Sequence, residues 1–296
     1  MRAKIALFKL INRAGAILPK RVQRFIADFP GVLQLLGKLS RNSHTQVRTP
    51  EGTSLFINPL FHSNLAKKDE LTNYEPALRE AIIRLTQTDF TAYDVGANVG
   101  VFSFLFSSCV GPQGRVYAFE PEKNNYICLE RSIEANNDKN IVLDKRAVGD
   151  KSAVLKFDRR GGAFSGRLIG NSSGYATTDN IVDVSVTTID VAVYDQGYQE
   201  PDIVKIDVEG NEALVLAGMS RILDERPPII ICELHSHLGD AVEKVGELLR
   251  DRSYRLYEIN RFVKTSPENL SEVSSLNGVH HVVAIPPASS MHLKTA

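Results

Sequence analysis

The 296-residue chain has no excess charge of either sign, with 35 Lys and Arg against 35 Asp and Glu. On average, then, it is not a dedicated nucleic-acid binder, which would carry a basic surplus. Cysteine is scarce: Cys109, Cys128 and Cys232 are the full set, and no CxxC pair exists. That excludes a zinc ribbon and a thioredoxin-like motif, and it fits reduced thiols in a cytoplasmic protein. No apolar run approaches the roughly 18 residues of a spanning helix. The opening, MRAKIALFKLINRAGAILPKR, has the outline of a signal peptide. Lys9 and Arg13 break its apolar stretch and no small-residue cleavage site follows, so it reads as retained. Hydrophobic residues at 43% and charged residues at 24% are globular values. They remove disorder, collagen and coiled coil from consideration. The length suits one large domain, or one domain with an extension, and is enough to bury a core without disulfide or metal staples.

The zero charge hides an asymmetry. Residues 1–50 hold ten Lys and Arg and the single acid Asp28, leaving 25 basic and 34 acidic residues in 51–296. On a helical wheel Arg2, Lys9, Arg13 and Lys20 form one stripe, roughly opposite Leu7, Ile11, Ala14 and Leu18. The extension reads as a basic helical segment packed on its own acidic domain. The other reading is peripheral contact with an anionic membrane at its inner face. The expected division is a basic N-terminal extension (1–50), one domain (51–288) and a disordered tail (289–296).

Residues 46–58 read as two short strands around a Pro-Glu-Gly turn, and 74–87 as a helix with Pro76 in its first turn. Strands and helices then alternate. Strands are expected at 92–95, 115–121, 141–149, 202–210 and 228–235, with late strands at 254–259 and 279–285. Helices are expected at 99–110, 124–137, 212–225 and 241–252. Repeated strand–helix units give a mostly parallel sheet covered on both faces. Residues 159–180, rich in Gly, Ser and Asn, read as an irregular loop, either a binding loop or a plain surface excursion.

The strongest motif, Asp94-Val95-Gly96-Ala97-Asn98-Val99-Gly100, lies at a strand-to-helix junction. Gly96 lets the chain turn close to a ligand, Gly100 lets the helix pack closely, and the free N–H groups favour an electron-rich group. A dinucleotide fingerprint would read GxGxxG, but Asn98 and Val101 occupy its second and third glycine positions, and no Walker A lysine follows. A nicotinamide-dependent oxidoreductase is therefore disfavoured. Asp94 would repel a pyrophosphate and suit a cation. Glu120, twenty residues past Gly100 at the end of the next strand, is placed to accept hydrogen bonds from ribose hydroxyls. A ribose joined to a cationic amino-acid moiety describes S-adenosylmethionine.

With YDVGANVGVFS, YAFEP, AVGDKSAVLKF, VTTID, PDIVKIDVEGNEALVLAG and PPIIICELH in order over about residues 74–260, the chain resembles the class I S-adenosylmethionine-dependent methyltransferases, and within them the FkbM family. The resemblance implies a Rossmann-like α/β fold whose seven-stranded, mostly parallel sheet has strand order 3-2-1-4-5-7-6. It implies O-methyl transfer to a hydroxyl of a sugar, a glycan-linked substrate or a natural product, and a lipid-linked glycan would suit an N-terminus in contact with an anionic membrane. It assigns the cofactor loop to Asp94, Gly96, Ala97, Asn98 and Gly100, the ribose to Glu120, the adenine to Ala147 or Arg146, and the methionine end to Asp207. Tyr74 and Glu75 would close over the cofactor, unless Glu75 simply serves the helix that follows. The alternative function is a scaffold that holds the cofactor and transfers nothing.

A hydroxyl acceptor must lose a proton, so a general base is expected beside the cofactor. Lys205, Asp207 and Glu209 alternate along strand four and share a face. A buried Lys needs a partner, and Glu233 on strand five is the expected one. Asp207 and His235 are candidate bases, with Lys205 and Glu233 completing the catalytic set, although His235 could equally be a surface residue. A divalent metal held by His235, His237, Asp207 and Glu233 is the less favoured arrangement, because the spacing matches no ligand pattern. His280 and His281 receive no role. The sequence identifies neither the acceptor nor the oligomeric state.

Overall fold

A computed structural model describes residues 44–59, 61–62, 65–66, 71, 73–159, 166–169, 180–235, 241–259, 263–265 and 279–287. The basic stripe of the extension, most of 159–180, His237 and the 289–296 tail lie outside the described residues.

A hairpin of β1 (Thr45–Arg48) and β2 (Ser54–Ile57) begins the described chain. Then come α1 (Pro76–Leu85), β3 (Thr91–Val95), α2 (Val101–Val110), β4 (Arg115–Phe119), α3 (Lys123–Asn136) and β5 (Ile141–Asp144). Pro76 opens α1, where its fixed φ is already helical. Leu78, Ala81, Ile82 and Leu85 form its buried stripe. Glu122 caps α3 by accepting from the N–H groups of Asn124 and Asn125. The hairpin is tied to α3 by polar groups: Phe56 N donates to Ser132 Oγ at 2.8 Å and Ser54 N to Asn136 Oδ1 at 3.0 Å.

Next are β6 (Ala147–Val148), β7 (Ala153–Asp158), β8 (Arg167–Ile169) and β9 (Ile181–Thr187), then a π-helical turn at Val191–Asp195. They are followed by β10 (Ile203–Ile206), α4 (Glu212–Ala217), α5 (Ser220–Glu225), β11 (Ile229–His235), α6 (Ala241–Arg250), β12 (Arg255–Glu258), β13 (Val263–Thr265) and β14 (Val279–Ile285).

The main sheet has the order β13-β12-β14-β11-β10-β3-β4-β5. β10 is parallel to β3 and β11, β3 to β4, and β4 to β5, while β14 runs antiparallel to β11 and β12. Taking β3, β4, β5, β10, β11, β12 and β14 as strands one to seven gives 3-2-1-4-5-7-6, with β13 an added antiparallel edge. This is the class I methyltransferase arrangement. Alternate strand residues bury toward opposite layers. Ala92, Ile203, Ile231 and Val283 face α1–α3, whereas Tyr93, Val204, Ile230 and Val282 face α4–α6. No helix among the described residues is long and apolar enough to cross a membrane.

Four local expectations change. The third strand, read as 141–149, breaks at Lys145-Arg146, and its second half joins a separate sheet of order β6-β9-β7-β8 that the sequence reading missed. Arg146 turns back onto Asp144, its Nε 2.9 Å from Oδ1, which bends the chain out of the first sheet. Part of the supposed 159–180 loop is β8. Strand four stops at Ile206 instead of running to 210, because Glu209 and Gly210 take left-handed conformations (φ 54° and 94°). The helix at 212–225 divides at Gly218, where a Cβ would fall 1.9 Å from the carbonyl oxygen of Gly149. Gly218→Ala should therefore force backbone apart at a cost of about 1–3 kcal/mol. Thermal unfolding should shift down by roughly 2–4 °C per kcal/mol; an unchanged midpoint would remove this account of the break.

Candidate active site

The loop after β3 carries three left-handed residues in close succession: Gly96 (φ 81°), Asn98 (φ 52°) and Gly100 (φ 93°). A Cβ on Gly96 would fall 1.8 Å from the backbone oxygen of Asp207, and one on Gly100 2.4 Å from Leu129 Cδ1. Gly96 is thus required by the chain's own approach to the end of β10, whereas the sequence reading had reserved that space for a ligand.

Glu120 anchors this loop and is buried. Its Oε2 accepts from Asn98 N at 2.8 Å and its Oε1 from Glu122 N at 2.7 Å. Burial nevertheless pushes its carboxyl up to about 8. Behind it, Asn125 also donates to Glu120 and in turn accepts from His62 Nε2 at 2.9 Å. His62 Nδ1 accepts from Asn58 N at 3.0 Å, so the buried imidazole is neutral and fixed in one tautomer. Sequence reasoning missed His62 and Asn125, since nothing local in the chain joins them to Glu120. His62→Ala removes one supporting hydrogen bond, worth about 0.5–1.5 kcal/mol. Calorimetric S-adenosylmethionine affinity should then fall roughly 2–10-fold; full affinity in the variant would show that Glu120 needs no such support.

Two adjoining cavities open at the carboxyl ends of the strands, with about 610 and 630 Å³ of open space. The first is lined by Phe119, Glu120, Asn125, Ala147, Phe157 and Leu168 among others, so the second sheet forms one wall. The second is lined by Tyr74, Glu75, Phe102, Lys205, Asp207 and Glu233. Gly96, Asn98, Asp207 and Glu209 border both.

Charged groups gather on the α1–α3 face of the sheet. Lys205 pairs in register with Asp94, and Glu233 with His281. The Lys205 ammonium lies 3.3 Å from Asp94 Oδ1, 3.3 Å from Asp207 Oδ2 and 5.5 Å from the centre of the Phe102 ring. Its partners are therefore Asp94 and Asp207, and the expected pairing with Glu233 is replaced, because β3 lies directly beside β10 in that register. Ser103 Oγ donates to Asp94 Oδ2 at 2.6 Å, so Asp94 is held from two sides and is not a helix cap. Burial opposes the charge on both Lys205 and Asp207. The carboxylates around Lys205 keep it charged, and Lys205, His235 and His281 hold Asp207 below its usual range.

His235 is buried, contrary to its surface reading. Its Nδ1 lies 2.9 Å from Glu212 Oε1, and its Nε2 faces Glu209 at 3.3 Å and Glu233 at 3.6 Å. Burial opposes protonation, but Glu212 and Glu209 outweigh it and raise His235 to about 9. Burial raises Glu209 to about 7. Burial and then Asp207 raise Glu233.

His281, given no role from sequence, stands between Glu75 Oε2 (3.3 Å) and Glu233 Oε2 (3.4 Å). Its position was readable in principle, since it shares the parity of Val283 and Ile285 along β14. Glu75 has a left-handed backbone (φ 45°) and makes no side-chain cap to α1. Its carboxylate turns inward to His281 instead. Tyr74 packs beside Phe102 with ring centres 5.8 Å apart. Among the candidate residues, the structure brings Tyr74, Glu75, Lys205, Asp207 and Glu233 to the second cavity and Gly96, Asn98, Glu120 and Ala147 to the first. Gly100 supports the loop from behind.

The chain is similar in sequence to known methyltransferases. The family model for the methyltransferase FkbM domain matches residues 94–256. Hexuronic acid methyltransferase AglP of Haloferax volcanii is 25% identical over 186 residues, spanning 61% of this chain and 72% of the relative. The 31-O-demethyl-FK506 methyltransferase FkbM of Streptomyces tacrolimicus is 28% identical over 188 residues, spanning 55% of this chain and 71% of the relative. A crystal structure of methyltransferase FkbM from Methylobacillus flagellatus KT aligns with a TM-score of 0.45 at 15% identity, over 73% of this chain and 52% of that one. The chain thus spans about half the length of that solved protein. By its ordered motifs, its strand order and the matched family model, this chain belongs to the FkbM methyltransferase family.

Proposed function

We propose that the protein is an S-adenosylmethionine-dependent O-methyltransferase acting on a hydroxyl of a sugar, a glycan or a natural product. One observation carries this reading: the left-handed Gly96–Gly100 loop is tied to a buried Glu120 and borders two adjoining cavities. The residues present fit the cofactor. Glu120 would hold the ribose hydroxyls, and Ala147, Phe157 and Leu168 would wall the adenine. Asp207 and the loop backbone would face the methionine end, where an acid-rich surface suits an ammonium and a sulfonium. The cofactor supplies an electrophilic methyl group, so the protein's work is positioning, desolvation and proton removal.

Lys205 holds Asp94 and Asp207 in fixed places and is a positioning residue. His235, kept protonated by its carboxylates, is a poor base and serves to orient Glu209 and Glu233. Glu209 borders both cavities, and its carboxyl, raised to about 7, matches a base working near neutrality. We assign it the acceptor proton. The acceptor class is supported by the printed activities of the two relatives, one on a hexuronic acid and one on a natural product.

Calorimetric titration with S-adenosylmethionine tests the cofactor, and absence of binding by the full chain would end this reading. Methyl-labelled cofactor offered with hexuronosides, neutral glycosides and polyketide alcohols tests transfer. Labelled product that disappears in Glu209→Gln supports the enzyme. Cofactor binding with no product from any acceptor points to the scaffold alternative.

A further inference from the structure

We propose that Glu75, Glu233 and His281 form a site for one divalent transition-metal ion of the Mn²⁺ or Zn²⁺ type, beside the second cavity. Three separate elements supply the donors: the corner before α1, the end of β11, and β14. The Nε2 of His281 lies 3.3 Å from Glu75 Oε2 and 3.4 Å from Glu233 Oε2, and one donor atom from each residue falls within 4.8 Å of the others. Donors bound about 2.0–2.2 Å from a common ion stand roughly 3.0–3.4 Å from one another. A direct N–H···O bond would be shorter, about 2.7–3.2 Å, and aligned. His281 Nε2 and Glu75 Oε2 are both buried and make no aligned hydrogen bond, although the two carboxylates stand close enough to favour a protonated imidazole. The three groups are thus drawn together by charge without the alignment that would satisfy them.

Two carboxylates meeting at one buried point require a cation. A proton on His281 is one such cation. A metal ion with Nε2 as ligand is another, and it takes up the unsatisfied Nε2 and Glu75 Oε2 together with the Glu233 carboxylate. One imidazole and two carboxylates suit Mn²⁺, Fe²⁺ or Zn²⁺ better than Ca²⁺, which gathers six to eight oxygens, or soft ions that favour thiolates. The neighbouring trio of Asp207, Glu233 and His235 also converges. There, however, Asp207 is paired with Lys205, and His235 Nε2 is already shared between Glu209 at 3.3 Å and Glu233 at 3.6 Å. The Glu75 trio is therefore the site, and it leaves coordination positions open toward the cavity. That the ion would polarise an acceptor hydroxyl rests on the methyl-transfer reading; the metal site itself does not.

The test uses the full chain, stripped with chelator and titrated with MnCl₂ at pH 8. The free Mn²⁺ paramagnetic resonance signal is followed, and ZnCl₂ is then added as competitor. One ion per chain is expected, with Kd below about 100 μM, or near −5.5 kcal/mol. His281→Ala and Glu75→Gln should each weaken binding at least about tenfold while circular dichroism stays unchanged. Should His281→Ala fail to fold, Glu75→Gln, on the more open corner, carries the test alone. Three results would overturn the site. They are no saturable binding of either ion up to about 1 mM, equal affinity in Glu75→Gln and the wild type, or loss confined to Asp207→Asn and His235→Ala. A separate titration of the wild type with S-adenosylmethionine tells failure of the metal site apart from failure of the functional reading.

Discussion

Lys205→Met should unfold at markedly lower urea concentration, with a loss of about 3–5 kcal/mol. The side chain is 3% exposed and lies between Asp94, which is fully buried, and Asp207. Taking away the only cation in contact with Asp94 among the described residues leaves a carboxylate without solvent and without charge compensation. Ser103 Oγ is its one remaining donor among the described contacts. Methionine keeps the apolar stem packed near Phe102, so the loss reports charge more than volume. Adding Asp94→Asn to Lys205→Met should restore a large part of the stability, because the uncompensated charge goes with it. The idea fails if the single variant loses less than about 1 kcal/mol, the range of an exposed pair, or if the second substitution makes matters worse.

Glu120→Ala should lower S-adenosylmethionine affinity about 100-fold or more. Two hydrogen bonds to an ionised carboxylate contribute about 1.5–3 kcal/mol each, and a hundredfold change needs only about 2.7 kcal/mol. The pH dependence follows from the same group. In the free protein burial raises its carboxyl to about 8, above the ordinary carboxylate range. Hydroxyl donors favour the ionised form, so the pKa of the complex is lower and binding releases a proton below about pH 8. Affinity should therefore rise from pH 6 toward pH 8, by at most about tenfold per unit, and level off above. Glu120→Gln should bind weakly with a flat profile over the same interval. Calorimetry across that range checks both statements. Wild-type affinity that falls with rising pH, or an alanine variant within about threefold of wild type, would remove Glu120 from the ribose site.

Much of this architecture is legible in the amino-acid sequence. The alternation of short apolar strands with helices gives the layers, because a parallel strand pair needs a covering crossover. Asp94, Gly96, Asn98, Gly100 and Glu120 lie within 27 consecutive residues, on two adjacent strands and the turn between them. Local geometry alone brings them together. Strand parity likewise put Lys205 and Asp207 on one face. The reading failed where two backbones meet at a distance in sequence. The break at Gly218 exists because Gly149 passes against it, and the second sheet forms because Ala147–Val148 pairs with Val186–Thr187.

The family, the strand order it implies and the half of the site built on β3 and β4 follow from the order of the residues. Which charges compensate which follows from the packing of distant strands. Lys205 belongs to Asp94 because β10 lies beside β3, and that register places the two residues level. His281 belongs to Glu233 because β14 returns antiparallel to β11, and to Glu75 because the corner before α1 folds over the same sheet end. These partners are 48 and 206 residues apart in the chain. No periodicity extends over such distances. Buried charge makes the pairing obligatory, and the register of the strands selects the partner.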